Sequence, residues 1–265
     1  MSPYRFSFEP LFLVLPVLAG VLYARAGGFR TRRWPVFTLG LLLVAAPLNT
    51  PLETLAAHYL VLAHLLQNAM LADWAPPLLI LGLTQGMRTA VARRLGRPFA
   101  RLTDLRVALG IWLAAWYGVH VPWAYDFALT HGWPLNLEHL ILLAAGLLFW
   151  WPVLSDAPHR RSTPWLLGYL GAAFGLSVFL GLALMFSNSA FYGFYEHVPR
   201  LWGLTPTKDQ NLGGVLMNAE QTLVFLVALG WFFMRLLDED HARAEEAAAA
   251  EERALLDNAA GNRIT

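Results

Sequence analysis

The side chains able to do chemistry in this chain are histidines, a methionine and a few carboxylates set among apolar residues. There are eight histidines: His58, His64, His120, His131, His139, His159, His197 and His241. The stretch WYGVHVPWAYDFALTHGWPLNLEHL, from Trp116 to Leu140, carries His120, Asp126, His131, Glu138 and His139. KDQNLGGVLMNAEQ, from Lys208 to Gln221, carries Asp209, Gln210, Met217, Asn218, Glu220 and Gln221. On a helix, Met217, Glu220 and Gln221 fall at i, i+3 and i+4 and share a face, as do His64, Gln67 and Asn68. His58 and His64 do not, because six residues turn about 240° around a helix axis. Gly213 and Gly214 leave room for a neighbouring helix to come close.

The chain has no cysteine, which removes thiolate zinc sites, iron–sulfur clusters, disulfides and thiol catalysis. The soft ligands left are imidazole and thioether. Imidazole suits copper, zinc, iron and nickel, and thioether points to Cu(I). There is no H-E-x-x-H, C-x-x-C-H, P-loop or dinucleotide fingerprint. Glu138, His139 and Glu220 could move protons, but no nucleophile stands beside a base, so an enzyme is not expected. Each residue alone also has a plainer reading. A histidine in a span can bond to a neighbouring helix. Met217 can be core, Asp126 a turn acceptor, and His131 and His197 solvated loop residues. Trp116, Trp123, Trp133 and Trp202 suit an aromatic belt. Convergence favours a site: four histidines lie on three spans near one depth, with Met217 and Glu220 on a fourth.

That depth comes from the elements that must carry these residues. The 265 residues are 57% hydrophobic and 14% charged, with a mean hydropathy of +0.47; a soluble domain carries about 25% charge. The 11 Trp, 16 Phe and 8 Tyr add interfacial bulk. The pattern predicts an all-α polytopic membrane protein, a bundle of seven spans near 9–25, 34–48, 53–73, 105–123, 137–154, 165–186 and 213–236. The first is read as retained, since Glu9 and Arg25 do not suit a cleaved leader. APPLLILGL, residues 75–83, is too short to span and is expected to kink away at Pro76 and Pro77.

Arginine sets the orientation. Arg25, Arg30, Arg32 and Arg33 lie in one loop. Arg88, Arg93, Arg94, Arg97, Arg101 and Arg106 lie in a second, and Arg160 and Arg161 in a third. The alternate side holds Arg5, Arg200 and Lys208. Positive-inside places the N-terminus outside and the C-terminus in the cytoplasm. His58, His64, His120, His131, His139 and His197 then fall on the outer half. The basic loop RTAVARRLGRPFARL fits anionic lipid headgroups rather than nucleic acid. Residues 1–237 form the transmembrane domain. Residues 238–265 form an acidic Ala/Glu-rich cytoplasmic tail, expected to be helical and to fray at Gly261.

HYLVLAHLLQNAMLADWAPPLLILGL, from His58, resembles the multispanning CtaG-like family of cytochrome c oxidase assembly factors. WYGVHVPWAYDFALTHG, LEHLILLAAGLLFWWPVL and LWGLTPTKDQNLGGVLM resemble it too, so the resemblance covers about residues 35–237. It implies a seven-span protein of the bacterial cytoplasmic membrane that helps mature a haem–copper oxidase, plausibly at a copper centre. His64 matches the first histidine of a family H-x-x-Q-H pattern, and Asn68 stands where the second would be. His120, His139, Asp209, Gln210, Gly214 and Met217 match polar or small positions. On this reading His64, His120 and His139 form a transient Cu(I) site, and His58 and Met217 are exchange ligands. Glu138 or Glu220 orients the imidazoles. The implied partners are cytochrome c oxidase subunits, membrane lipid and a periplasmic copper donor. Three alternatives stay open: a haem-binding or redox protein, a transporter relay through Glu138 and Glu220, and a metal-free scaffold for oxidase subunits.

Overall fold

A computed structural model describes residues 2–261, which form helices joined by turns and loops, with no strand among them. In lipid a backbone must satisfy its own polar groups, which an apolar run does by becoming helix. The elements are α1 (Leu11–Arg25), α2 (Trp34–Ala45), α3 (Pro51–His58), α4 (Val61–Ala69), α5 (Ala75–Gly82), α6 (Gln85–Leu102), α7 (Leu105–Val119), α8 (Pro122–Thr130), α9 (Gly132–Leu154), α10 (Thr163–Phe186) and α11 (Pro206–Gly261).

Three helical stretches are long and apolar enough to cross a bilayer alone: Gly132–Leu154, Thr163–Phe186 and Pro206–Glu251. Two bent pairs raise the number to five. Trp34–Leu48 with Pro51–His58 bends by 48°, and Leu105–Val119 with Pro122–Thr130 by 69°. α1 is apolar but shorter, at 15 residues. The chain is therefore an all-helical membrane protein with three to five candidate spans, fewer than the seven that hydropathy suggests.

The segment 53–73, expected to be one span, is cut in two. α3 starts where the Thr50 side chain accepts from Leu52 N, with Pro51 in the first turn, and it ends at His58. Leu60 is extended (φ −134°, ψ 124°), and α4 begins after it. The proline-rich piece also differs from expectation. It does not leave the helix. Met70–Trp74 forms a wider π turn, and α5 continues to Gly82 with its prolines in the first turn. Pro76 and Pro77 have no N–H to give to Ala72 O and Asp73 O, so a regular α turn could not form there; a π turn absorbs the mismatch.

Two apolar cores fill the bundle. One gathers Phe12, Val61, Leu65, Leu71, Trp116, Tyr125 and Met217. The other gathers Trp112, Phe149, Trp150, Tyr169, Leu170 and Phe225. α10 packs along α11, α2 on α5, α4 on α11 and α7 on α9. The α10–α11 contact depends on Gly214. A Cβ there would sit 2.5 Å from Met185 N and 2.6 Å from Gly181 O, so this glycine is what lets the helices touch. Outward on α10 and α11, Leu176, Phe179, Leu223, Leu226, Val227 and Trp231 are exposed, an apolar surface that suits lipid rather than water.

α6 is the exception to the apolar pattern. It carries Arg93, Arg94 and Arg97 exposed, and it breaks at Gly96, where φ is 64°. Its buried Arg88 donates from Nη1 to Leu154 O at the end of α9. The acidic tail continues α11 without interruption past residue 237. Its first turn is tied down: Glu239 accepts from Thr163 Oγ1 at 2.8 Å and from Arg235 Nε at 2.9 Å. Gly261, where fraying is expected, is still helical as the last residue of α11; residues 262–265 lie outside the described residues.

Candidate metal centre

α4 and α9 bring the first two imidazoles together. His64 is on α4 and His139 on α9, both about 1% exposed, with ring centroids 5.6 Å apart. Glu138 precedes His139 and is 4% exposed. One ligand atom from each of His64, Glu138 and His139 lies within 4.8 Å of the other two, the one such group among the described residues.

The hydrogen bonds assign the protons. Tyr195 Oη donates to Ala56 O at 2.5 Å, which uses its only hydrogen. His64 Nδ1, 3.3 Å from the same hydroxyl, must therefore be the donor. His64 Nε2 faces Glu138 Oε1 at 3.0 Å, so one proton lies between these two atoms. Asn68 Nδ2 donates to the same carboxylate oxygen at 2.9 Å. This holds Nε2 and the carboxylate toward the interior with the ring orientation fixed from behind, as the outer partners of a metal-binding histidine do.

His139 has no such partner. Both of its ring nitrogens are buried without a hydrogen bond, and it meets Phe12 edge-on, with centroids 5.8 Å apart. A buried polar group left unpaired costs about 1–3 kcal/mol, and a bound cation would remove that cost. His120, at the C-terminal end of α7, bonds through Nδ1 to Trp116 O at 2.6 Å and leaves Nε2 unpaired. Tyr125 stands between His64 and His120, with centroids 4.7 and 5.9 Å from the two rings. The donor set of two imidazoles and a carboxylate, with a third open imidazole nearby, fits copper, zinc or iron.

The supporting frame comes from far along the chain. Asp209, at the start of α11, accepts from Val61 N at 2.7 Å and Leu62 N at 3.1 Å. It thus caps α4, whose own N-terminal residue, Leu60, has no capping side chain. Gln210 Oε1 accepts from Phe191 N at 2.6 Å. Asp126 accepts from Gly193 N and Phe194 N at 3.0 and 3.2 Å, pinning the turn that bears Tyr192 and Tyr195. Gln67 donates to Glu53 and to Pro47 O, both at 2.7 Å, and so braces α4 from its other side.

The family comparison follows this geometry. The family of cytochrome c oxidase caa3 assembly factors matches residues 17–239, most of the chain. The chain belongs to that family. Comparisons with curated proteins and with solved structures give no match.

In this assembly factor the candidate ligands separate into those that meet and those that do not. His64, Glu138 and His139 meet. His120 is one aromatic ring away. Met217 is buried in the apolar core beside Leu65, Trp116 and Tyr125. His58, at the end of α3, is exposed, and the break at Tyr59–Leu60 separates it from α4. Glu220, expected to orient imidazoles, instead accepts from Trp74 Nε1 at 2.9 Å, and the side chains that act on it are Trp74 and Asp73 rather than a histidine. Sequence reasoning missed Tyr195 and Tyr125. Tyr125 is on α8 and Tyr195 in the turn before α11, and nothing in their spacing pointed to His64. Asn68, one turn after His64 on α4, is a donor to Glu138.

Proposed function

We propose that this assembly factor holds a copper ion at His64 and His139, with Glu138 as the adjoining carboxylate, and passes it to a cytochrome c oxidase subunit. The observation that supports this most is His139, a fully buried imidazole with both nitrogens unpaired beside an oriented His64–Glu138 pair. Copper is cargo on this reading. Tyr195 and Asn68 hold the ligands in place, and the proton between His64 Nε2 and Glu138 is given up when the ion arrives, since metal ligands must be deprotonated. Exposed His58 serves as an uptake ligand, while His120, one aromatic ring from His64, serves exchange. The chain performs no catalysis of its own.

The same proposal sets the topology. α1, the α2–α3 pair, Val61–Gly82, the α7–α8 pair, α9, α10 and α11 make seven passes, with the N-terminus outside and the C-terminus in the cytoplasm. The arginine asymmetry supports it, and it places the site toward the outer face of the bacterial cytoplasmic membrane, within reach of a periplasmic copper donor.

The test is copper loading of the oxidase in cells carrying His139→Ala. The variant should accumulate in the membrane, the oxidase copper centre should be underfilled, and excess external copper should restore part of the loading by mass action. A fully loaded oxidase in cells carrying both His64→Ala and His139→Ala would overturn the proposal in favour of a metal-free scaffold.

A further inference from the structure

α7 begins and α9 ends on the side of the bundle away from the histidines, and a cavity of about 510 Å³ opens there. Arg97, Ala100 and Arg101 of α6, Asp104 and Val107 at the start of α7, and His159 of the loop after α9 line it. Its volume is that of a small-molecule site, and the proposed copper chemistry does not use it.

The break in α6 makes the basic wall. Gly96 has φ 64°, a conformation a side chain would strain, so the helix turns there before it resumes. Arg97 and Arg101 follow, four residues apart and on one face. Both are exposed, and neither guanidinium has an ion pair or a hydrogen bond among the described residues.

The facing wall is fixed, and its one acid is already occupied. Arg161 Nη2 donates to Asp104 Oδ2 at 2.9 Å and ties the loop after α9 to the start of α7. Asp104 Oδ1 accepts from Arg106 N at 3.1 Å. Arg161 therefore balances Asp104, and the charge left over is that of Arg97 and Arg101. His159 adds an exposed imidazole that can donate a hydrogen bond. Val107, 42% exposed, begins the apolar length of α7 and gives the cavity an apolar side together with Ala100.

Two free guanidiniums match the oxygens of a phosphate, which their planar forks can grip in pairs. A free inorganic anion would leave Ala100 and Val107 uncovered. A phosphate that carries acyl chains covers them, and this end of α7, where an apolar helix of the bundle starts, is where a lipid headgroup lies. We propose that the cavity binds one anionic phospholipid. Arg97 and Arg101 hold its phosphodiester, His159 donates to a further headgroup oxygen, and the acyl chains run along Val107. The lipid thereby joins α6 to α7 and to the loop after α9, whatever metal the histidines bind.

Native mass spectrometry of the full-length protein tests this, after titration in detergent with phosphatidylglycerol or with phosphatidylcholine, whose choline cation cancels the phosphate charge. The wild type should retain one phosphatidylglycerol per chain in preference to phosphatidylcholine. Arg97→Gln/Arg101→Gln should weaken that retention about tenfold or more, and Arg97→Lys/Arg101→Lys, which keeps the charge without the forks, should recover part of it. Arg93→Gln/Arg94→Gln removes the same charge from exposed positions of α6 outside the cavity and should change nothing. If the first double variant does not fold, Arg101→Gln alone carries the same comparison. Equal weakening by the two glutamine double variants, equal retention of the two lipids, or full release of the lipid by inorganic phosphate would each overturn the proposal.

Discussion

At the scale of single residues, the site turns on which nitrogen and which oxygen remain open. Asn68 shows this. Its amide donates to Glu138 Oε1 instead of offering a ligand atom. The carboxylate is thereby fixed between Asn68 and His64. Asn68→Leu keeps the volume and deletes the donor, leaving a buried carboxylate oxygen with one partner fewer. We expect a loss of about 1–3 kcal/mol in unfolding free energy, read as a lower midpoint in thermal unfolding in detergent; an unchanged midpoint would show that the bond contributes nothing. The histidines and Glu138 were legible from their types and their depth. Tyr195 was not, because its contact with His64 depends on a turn pinned by Asp126, 67 and 68 residues away from the amides it holds. Glu220 was misjudged for the opposite reason. Its helix face was read correctly, but that face turns to Asp73 and Trp74.

Among the elements, α4 is the one whose placement decides the site, and it does not hold itself. Leu60 offers no capping side chain, so Asp209 supplies the acceptor across 148 residues. Asp209→Ala should cost about 1 kcal/mol, the usual worth of an N-cap, and should weaken metal binding at His64 more than Asp209→Asn, which keeps an acceptor. Metal competition titrations of the two variants measure this; equal affinities would remove Asp209 from the account. Hydropathy located the long apolar helices α1, α2, α7, α9, α10 and α11, since a run of apolar residues is a strong signal, but it left the basic α6 as a loop and did not separate α8. It did not show the break at Tyr59–Leu60 or the π turn at Met70–Trp74. Both interrupt stretches whose composition stays apolar: Asp209 on α11 holds the start of α4 after the first break, and Pro76 and Pro77 set the second.

For the whole molecule, the arrangement of passes is the claim that arginine makes most directly. Reporter fusions after Arg97 and after the acidic tail should both report cytoplasm. A periplasmic signal from either would reverse the map and move the histidines to the other face. The two bent pairs are the difference between three and five candidate spans: a helix broken by 48° or 69° is no longer one long element, although two short ones in sequence can still cross a bilayer about 30 Å thick. Membership of the oxidase assembly family rests on residues 17–239 together and not on any one motif.

The measurement that tests the central claim most directly is elemental analysis of the full-length protein purified from copper-fed cells, set beside His64→Ala/His139→Ala. The account predicts about one copper per wild-type chain, as expected for a single group of ligands within 4.8 Å, and loss of that copper in a double variant that still folds. A wild-type protein free of copper, or a double variant carrying as much copper as the wild type, would contradict it.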